Sequence, residues 1–259
     1  MHTDNFFTLT EDLRGLGGRR VWSLMISLFG DLVQDEGQTI SGPTLSAIMA
    51  ALHVKPEAAR VALHRLRNDG WIDSDKLGRI SRHSLTAKGR AESAAASPRI
   101  YATPQLSDGA WQVIVTQGPD DTMDGLGFVQ IIPRVYVGGV DLVAPTDALT
   151  LPASTVPDWL RQQLAPRTQH AGYRSLRDTL CRIGDTLPDV AQLTPVQISV
   201  LRCLIVHNWR RLVLKHPQLP SPLVDPDGPA HQCHIVVAGL LERYPRPDVS
   251  TIEQYCAAA

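Results

Sequence analysis

The stretch "VKPEAARVALHRLRNDGW", Val54 to Trp71, carries its own helix start and stop. Pro56 suits a first helical position, where its missing N–H costs nothing, and Gly70 suits the residue just past the end. Between them Ala59, Ala62, Leu63 and Leu66 recur at helical spacing and form a packing stripe. The polar side holds Arg60, His64, Arg65 and Arg67 against the single acid Glu57. A face so one-sided in charge points to a polyanion as its neighbour.

The flanking segments fix the context. In "RRVWSLMISLFGDLV", Arg19 to Val33, the residues Val21, Leu24, Met25, Leu28 and Leu32 predict an amphipathic helix. "SGPTLSAIMAALHV" predicts a second helix, capped by Ser41, with Leu45, Ile48, Met49 and Leu52 on one side. A tight turn at 53–55 joins it to the quoted helix. Beyond Gly70, "WIDSD", a turn "KLG" and "RISRHSLT" predict a β-hairpin with a basic tip, and "AKGRAESAAAS" a last helix ending at a Ser97-Pro98 linker.

Three helices followed by a hairpin is the order of a winged helix-turn-helix. In that arrangement the third helix enters a DNA major groove. Arg60, His64 and Arg67 are then the groove contacts, Lys55 and Arg65 flank them, and Lys76, Arg79 and Arg82 of the wing reach the backbone or minor groove. The charge distribution agrees. From Lys55 to Arg90 there are nine Lys or Arg and four Asp or Glu, an excess of five, although the whole chain has a net charge of −1.

The remaining sequence is mixed. "WQVIVTQ", "GFVQIIPRVYVGG" with a bend at Pro133, and "DALTLP" predict strands; 118–125 predicts a loop; "VPDWLRQQL" and "AGYRSLRDTLCRI" predict helices. From Thr194, a candidate N-cap, "TPVQISVLRCLIVHNWRRLVLKHP" predicts a long helix burying Ile198, Leu201, Ile205 and Leu212. "HQCHIVVAGLLERY" predicts a final helix, and the tail after Tyr244 is expected to be loose.

Composition narrows the class. The chain has 259 residues, 43% hydrophobic and 20% charged, enough apolar content for a packed core. No apolar run spans a membrane, and the acidic start "MHTDNFFTLTEDLRG" is no signal peptide. Four cysteines without a CxxC pair fit a reducing cytoplasm. "RGLGGRR" lacks the spacing of a nucleotide-binding loop, no GxSxG elbow occurs, and no paired carboxylates stand out, so an enzyme is not expected. Cys203 with His207, and His231 with Cys233 and His234, are zinc-type side chains; packing inside a helical domain is the preferred reading, with no metal and no cofactor.

Several of these segments, in order, resemble the PaaX family of bacterial transcriptional repressors of phenylacetate catabolism: "SLMISLFGDLV", "ARVALHRLRNDGWI", "SRHSLTAKGR", "GLGFVQIIPRVYVGG" and "IVHNWRRLVLKHPQLP". The resemblance implies an α+β chain with an N-terminal winged helix-turn-helix (1–98), a small ferredoxin-like α+β central module (99–180) and a C-terminal helical domain for dimerisation and effector sensing (181–259). It further implies a homodimeric repressor of double-stranded DNA, released from a near-palindromic operator by an aryl-CoA thioester such as phenylacetyl-CoA. Arg174, Arg177, His207, Trp209, Arg210 and Arg211 offer the arginine and aromatic groups such a ligand would need. This chain departs from the pattern in three places. Lys55-Pro56 opens the third helix, only "GPDDTMDG" separates two central strands, and "LVDPDGPA" follows "HPQLP". The short connection is expected to remove most of one helix from the ferredoxin-like module.

Overall fold

A computed structural model describes residues 3–18, 20–106, 110–164, 167–215 and 218–258. Its elements are α1 (Thr3–Leu16), α2 (Val21–Leu32), β1 (Ile40–Ser41), α3 (Gly42–Ala51), α4 (Pro56–Asn68), β2 (Ile72–Leu77), β3 (Ile80–Leu85), α5 (Ala87–Ile100), β4 (Trp111–Val115), β5 (Val129–Ile132), β6 (Val135–Gly139), β7 (Leu149–Ala153), α6 (Asp158–Leu164), α7 (Arg167–Gly184), α8 (Pro195–Val213), α9 (Pro229–Arg243) and α10 (Val249–Ala258). The chain divides into two compact units. One comprises Met1–Ala102, Asp178–Arg211 and Val237–Ala259; the other comprises Thr103–Arg177 and Leu212–Val236. The boundaries expected at 98/99 and 180/181 fall inside α5 and α7, and residues after 181 are shared between both units. No described helix is long and apolar enough to cross a membrane.

In the first unit the predicted order of helices and hairpin is present. Ser41 Oγ accepts from the Thr44 N–H at 3.3 Å, and Leu45, Ile48, Met49 and Leu52 of the α3 segment are buried. Pro56 opens α4, and Gly70 follows it with φ +70°, a conformation that favours glycine. β2 and β3 pair antiparallel, with Leu77 opposite Ile80, so the two-residue turn is Gly78-Arg79 and Lys76 lies in the strand. The short β1 adds to β3, giving a three-stranded sheet of order β1-β3-β2 that the sequence did not announce. Thr86 caps α5 through the Gly89 N–H, and a Cβ at Gly89 would collide with the Trp71 carbonyl oxygen.

Two expectations are corrected here. Ser97-Pro98 is no linker: α5 runs through Pro98 to Ile100. The bond lost at proline is outweighed by burial of Ile100, whose carbonyl accepts from Trp209 Nε1 at 3.0 Å, and by Tyr101, whose hydroxyl donates to Asp31 at 2.8 Å. The tail after Tyr244 is not loose, because α10 buries Ile252 and its Glu253 accepts from the Ser41 N–H at 2.8 Å. The acidic N-terminus forms α1, which buries Phe6, Thr10 and Leu13.

α8 runs through the first unit's core. Every residue from Gln197 to Trp209 is buried, which is broader than the stripe its sequence predicts. Thr194 and Gln197 form a capping box at its start, at 3.2 and 3.0 Å. From α8, Arg202 forks onto Asp31 of α2 at 2.9 and 2.8 Å and also donates to the carbonyls of Leu241 and Tyr244.

The second unit holds a four-stranded sheet of order β5-β6-β4-β7, with antiparallel neighbours throughout. That is the order of a β-α-β-β-α-β, ferredoxin-like sheet. Turns at 116–128 and 140–148 replace both of its crossover helices, where the sequence led us to expect the loss of one. One face, with Trp111 and Val137, packs on Leu160 and Leu164 of α6 and on Leu223. The other, with Ile114 and Tyr136, is covered by Met123 and Phe128 of the first turn segment.

Candidate nucleic-acid interface

α4 is amphipathic about its own axis. Ala62 and Leu66 are buried, and Ala59 and Leu63 are half-buried beside them. At 3.6 residues per turn, Glu57, Val61, His64 and Asn68 point most directly the other way. Arg60 and Arg67 occupy one flank of that outward stripe and Arg65 the other; all seven side chains are exposed. The cations are only loosely engaged. Arg60 lies 3.7 Å from Glu57 and Arg65 3.5 Å from Asp69, both in solvent, where such pairs contribute little. Arg65 also stacks over the Trp22 ring, 4.8 Å from its centroid, which braces that flank against α2. His64 Nδ1 lies 3.3 Å from Asn68 Nδ2.

The hairpin stands beside this helix. Lys76 and Arg79 are exposed at its tip. A groove of about 420 Å³ is lined by α3, the start of α4 and the tip, with Met49 and Leu63 in its floor and Arg60 and Arg79 among its walls. Lys55 is exposed at the N-cap of α4, without a side-chain cap bond. Seven of the eight residues singled out from sequence thus lie exposed on α4 or the hairpin. Arg82 differs. It is half-buried, 3.3 Å from Glu253 of α10 and 3.0 Å from the Thr39 hydroxyl, so its charge is engaged within the protein. The residue next to it, His83, is buried against Ser74 at 2.7 Å, and burial, with Arg67 nearby, lowers its pKa.

Sequence reasoning missed the apolar members of this surface. Val61 is 70% exposed, Leu77 68% and Ile80 47%, the three most exposed large apolar side chains described in the first unit. The signal for Val61 was available: 57, 61, 64 and 68 repeat at helical spacing opposite the packing stripe.

The residues considered for an effector are dispersed in role. His207 is buried, with Ser27 Oγ and the Gly17 carbonyl each 3.2 Å from a ring nitrogen; burial pushes its pKa down to about 4. Trp209 is buried and bonded to Ile100. Arg210 is half-buried and donates to Ser27 Oγ at 3.2 Å and to the Ser23 carbonyl at 3.4 Å. Arg211, exposed, donates to the Leu16 carbonyl at 3.2 Å. Arg174 is exposed and Arg177 half-buried on α7. Cys203 is buried with its thiol towards the Leu24 carbonyl, and no group of three metal-binding side chains occurs among the described residues.

Known proteins resemble this chain in sequence and in fold. A solved structure of the uncharacterized protein Rv0674 from Mycobacterium tuberculosis matches with a TM-score of 0.52, covering 91% of this chain and 97% of that one. At 15% identity it speaks for the fold alone. The transcriptional repressor PaaX of Escherichia coli (strain K12) is 29% identical over 238 residues, 81% of this chain and 74% of that protein. Residues 20–89 match the family model for PaaX-like proteins, and residues 166–247 match the model for the PaaX-like C-terminal domain. Matched at both ends, over more than half of its length, the chain belongs to the PaaX-like protein family.

Proposed function

We propose that this protein is a DNA-binding transcriptional repressor whose residues 20–89 act as a winged helix-turn-helix. The observation that carries this reading is the outward stripe of α4, flanked by Arg60, Arg67 and Arg65 and set beside a hairpin tipped with Lys76 and Arg79. The major groove is wide enough to admit an α-helix, and α4 has an unobstructed face to present to it. Its flanking cations suit the phosphates on either side, and the central stripe suits base edges. The name of the Escherichia coli relative supports repression as the outcome.

Two finer elements belong to the same proposal. The protein works as a homodimer on a near-palindromic operator, its half-sites about 34–36 Å or a multiple apart. An aryl-CoA thioester such as phenylacetyl-CoA releases it by favouring the arrangement that binds DNA poorly. The resemblance of the five motifs supports both. Because His207 and Trp209 are engaged in internal hydrogen bonds, the ligand's phosphates would be met by exposed or half-buried arginines, either Arg210 and Arg211 in the first unit or Arg174 and Arg177 in the second.

Selection of bound fragments from random duplex DNA, with and without phenylacetyl-CoA, tests the proposal. The expected result is a near-palindromic site whose enrichment disappears with ligand. Enrichment indifferent to ligand makes this a ligand-independent DNA-binding protein or one with another effector. No enrichment under any condition removes DNA from the account.

A further inference from the structure

The outward stripe of α4 has an apolar residue near its centre. Val61 is 70% exposed, between Arg60 and His64, on a face whose other members are charged or polar. Valine is a poor choice there on local grounds: its β-branch restricts χ1 in a helix, and nothing in the fold buries it. Leu77 and Ile80, opposite each other across the hairpin turn, share this exposure on the neighbouring element. Exposed apolar groups set among cations gain from a partner that offers both phosphate and a dry methyl surface. A major groove offers both, because thymine alone projects a C5 methyl into it.

We propose that Val61 is a specificity-determining residue that packs against a thymine methyl group in each operator half-site. This rests on the reading of α4 as the groove-entering helix. Glu57, His64 and Asn68 share the stripe with Val61 and bring hydrogen-bonding groups to the adjacent base edges. Arg60 and Arg67 on the flank hold the register through phosphates. The Val61 side chain supplies discrimination by burial of one methyl against another, an effect of about fourfold in affinity per thymine.

The test uses the full-length protein and its selected operator duplex. Thymines are replaced one at a time by uracil, which removes only the C5 methyl. Replacement at one position in each half-site is expected to weaken binding about fourfold in the wild type. V61A is expected to bind thymine and uracil duplexes alike, with an unfolding midpoint close to wild type because residue 61 is exposed. A wild type that tolerates uracil at every position, or a V61A variant that keeps the wild-type preference, overturns the assignment while leaving α4 on DNA. Selected half-sites lacking thymine overturn it as well. Failure of the wild type to bind any duplex, with or without thymine, sinks the underlying reading and this inference with it.

Discussion

Asp31 is 2% exposed and Arg202 7%, and the two meet as a fork. A buried carboxylate is costly unless its lone pairs are used, and here Tyr101 adds a third hydrogen bond. Arg246 donates to the Asp31 backbone carbonyl at 2.7 Å, so α2, α5, α8 and the segment before α10 converge on one residue. Asp31→Asn is expected to lower stability by about 3–5 kcal/mol, because Arg202 stays buried without its counter-charge. Urea unfolding checks this; a loss within experimental error of zero shows that the pair is dispensable. His207 gives a pH dependence. Its folded pKa of about 4 lies below the ordinary value of 6.5. The unfolded chain therefore takes up a proton first as the pH falls. Stability contributed by neutral His207 is present above about pH 6.5 and lost between there and about pH 4, amounting to about 3 kcal/mol. The lowered pKa of His83 acts in the same direction. His207→Gln should flatten that limb of a stability-against-pH curve, whatever it does to the plateau; an unchanged limb rules His207 out as its source. The sequence offered His207 as a packed residue of a helical domain, but it did not announce the Asp31–Arg202 pair. Asp31 reads there as one polar residue on a helix, and its partner lies 171 positions away.

At the scale of elements, helix and strand types were legible wherever period and punctuation agreed. α4 has proline at one end, glycine at the other and an apolar stripe between, so its identity needed no tertiary help. α1, α10 and the end of α5 lacked that agreement. Their anchors are contacts with distant elements, among them Asn208 to the Leu13 carbonyl at 2.9 Å, Glu253 to Ser41, and Trp209 to Ile100. The β-hairpin expected after Gly70 is present, but its cations divide by position. Lys76 and Arg79 are at the open tip, whereas Arg82 lies where β3 meets β1 and α10. Replacing Lys76 or Arg79 by Ala should therefore reduce the slope of log affinity against log salt by about 0.9 each on duplex DNA. Arg82→Ala should leave that slope alone and lower stability instead, since Glu253 loses its partner. Equal slopes for wild type, Lys76→Ala and Arg79→Ala would place the hairpin tip off the phosphates.

For the whole molecule, net charge was uninformative while its distribution was decisive. A chain of net charge −1 concentrates an excess of five positive charges in the 36 residues from Lys55 to Arg90, and the fold turns most of them outward on one helix and one hairpin. The division into two units was harder to foresee, because helical segments after residue 181 complete both. Hydrophobic pattern says that such helices are buried, not against what. α8 illustrates this: its apolar character announced burial, and only the structure pairs it with α2 through Asp31 and Ser27.

On the proposed reading, the cationic face of α4 and the hairpin tip together engage duplex DNA. The most direct measurement compares wild type with a full-length variant carrying Arg60→Ala, Arg67→Ala and Lys76→Ala, titrated against one duplex at low ionic strength. These side chains are exposed, so the variant should unfold close to the wild-type midpoint. Tight, salt-sensitive binding by the wild type and a loss of at least about a hundredfold in the variant are expected. Equal affinity in the two proteins, or no binding by the wild type, contradicts that reading.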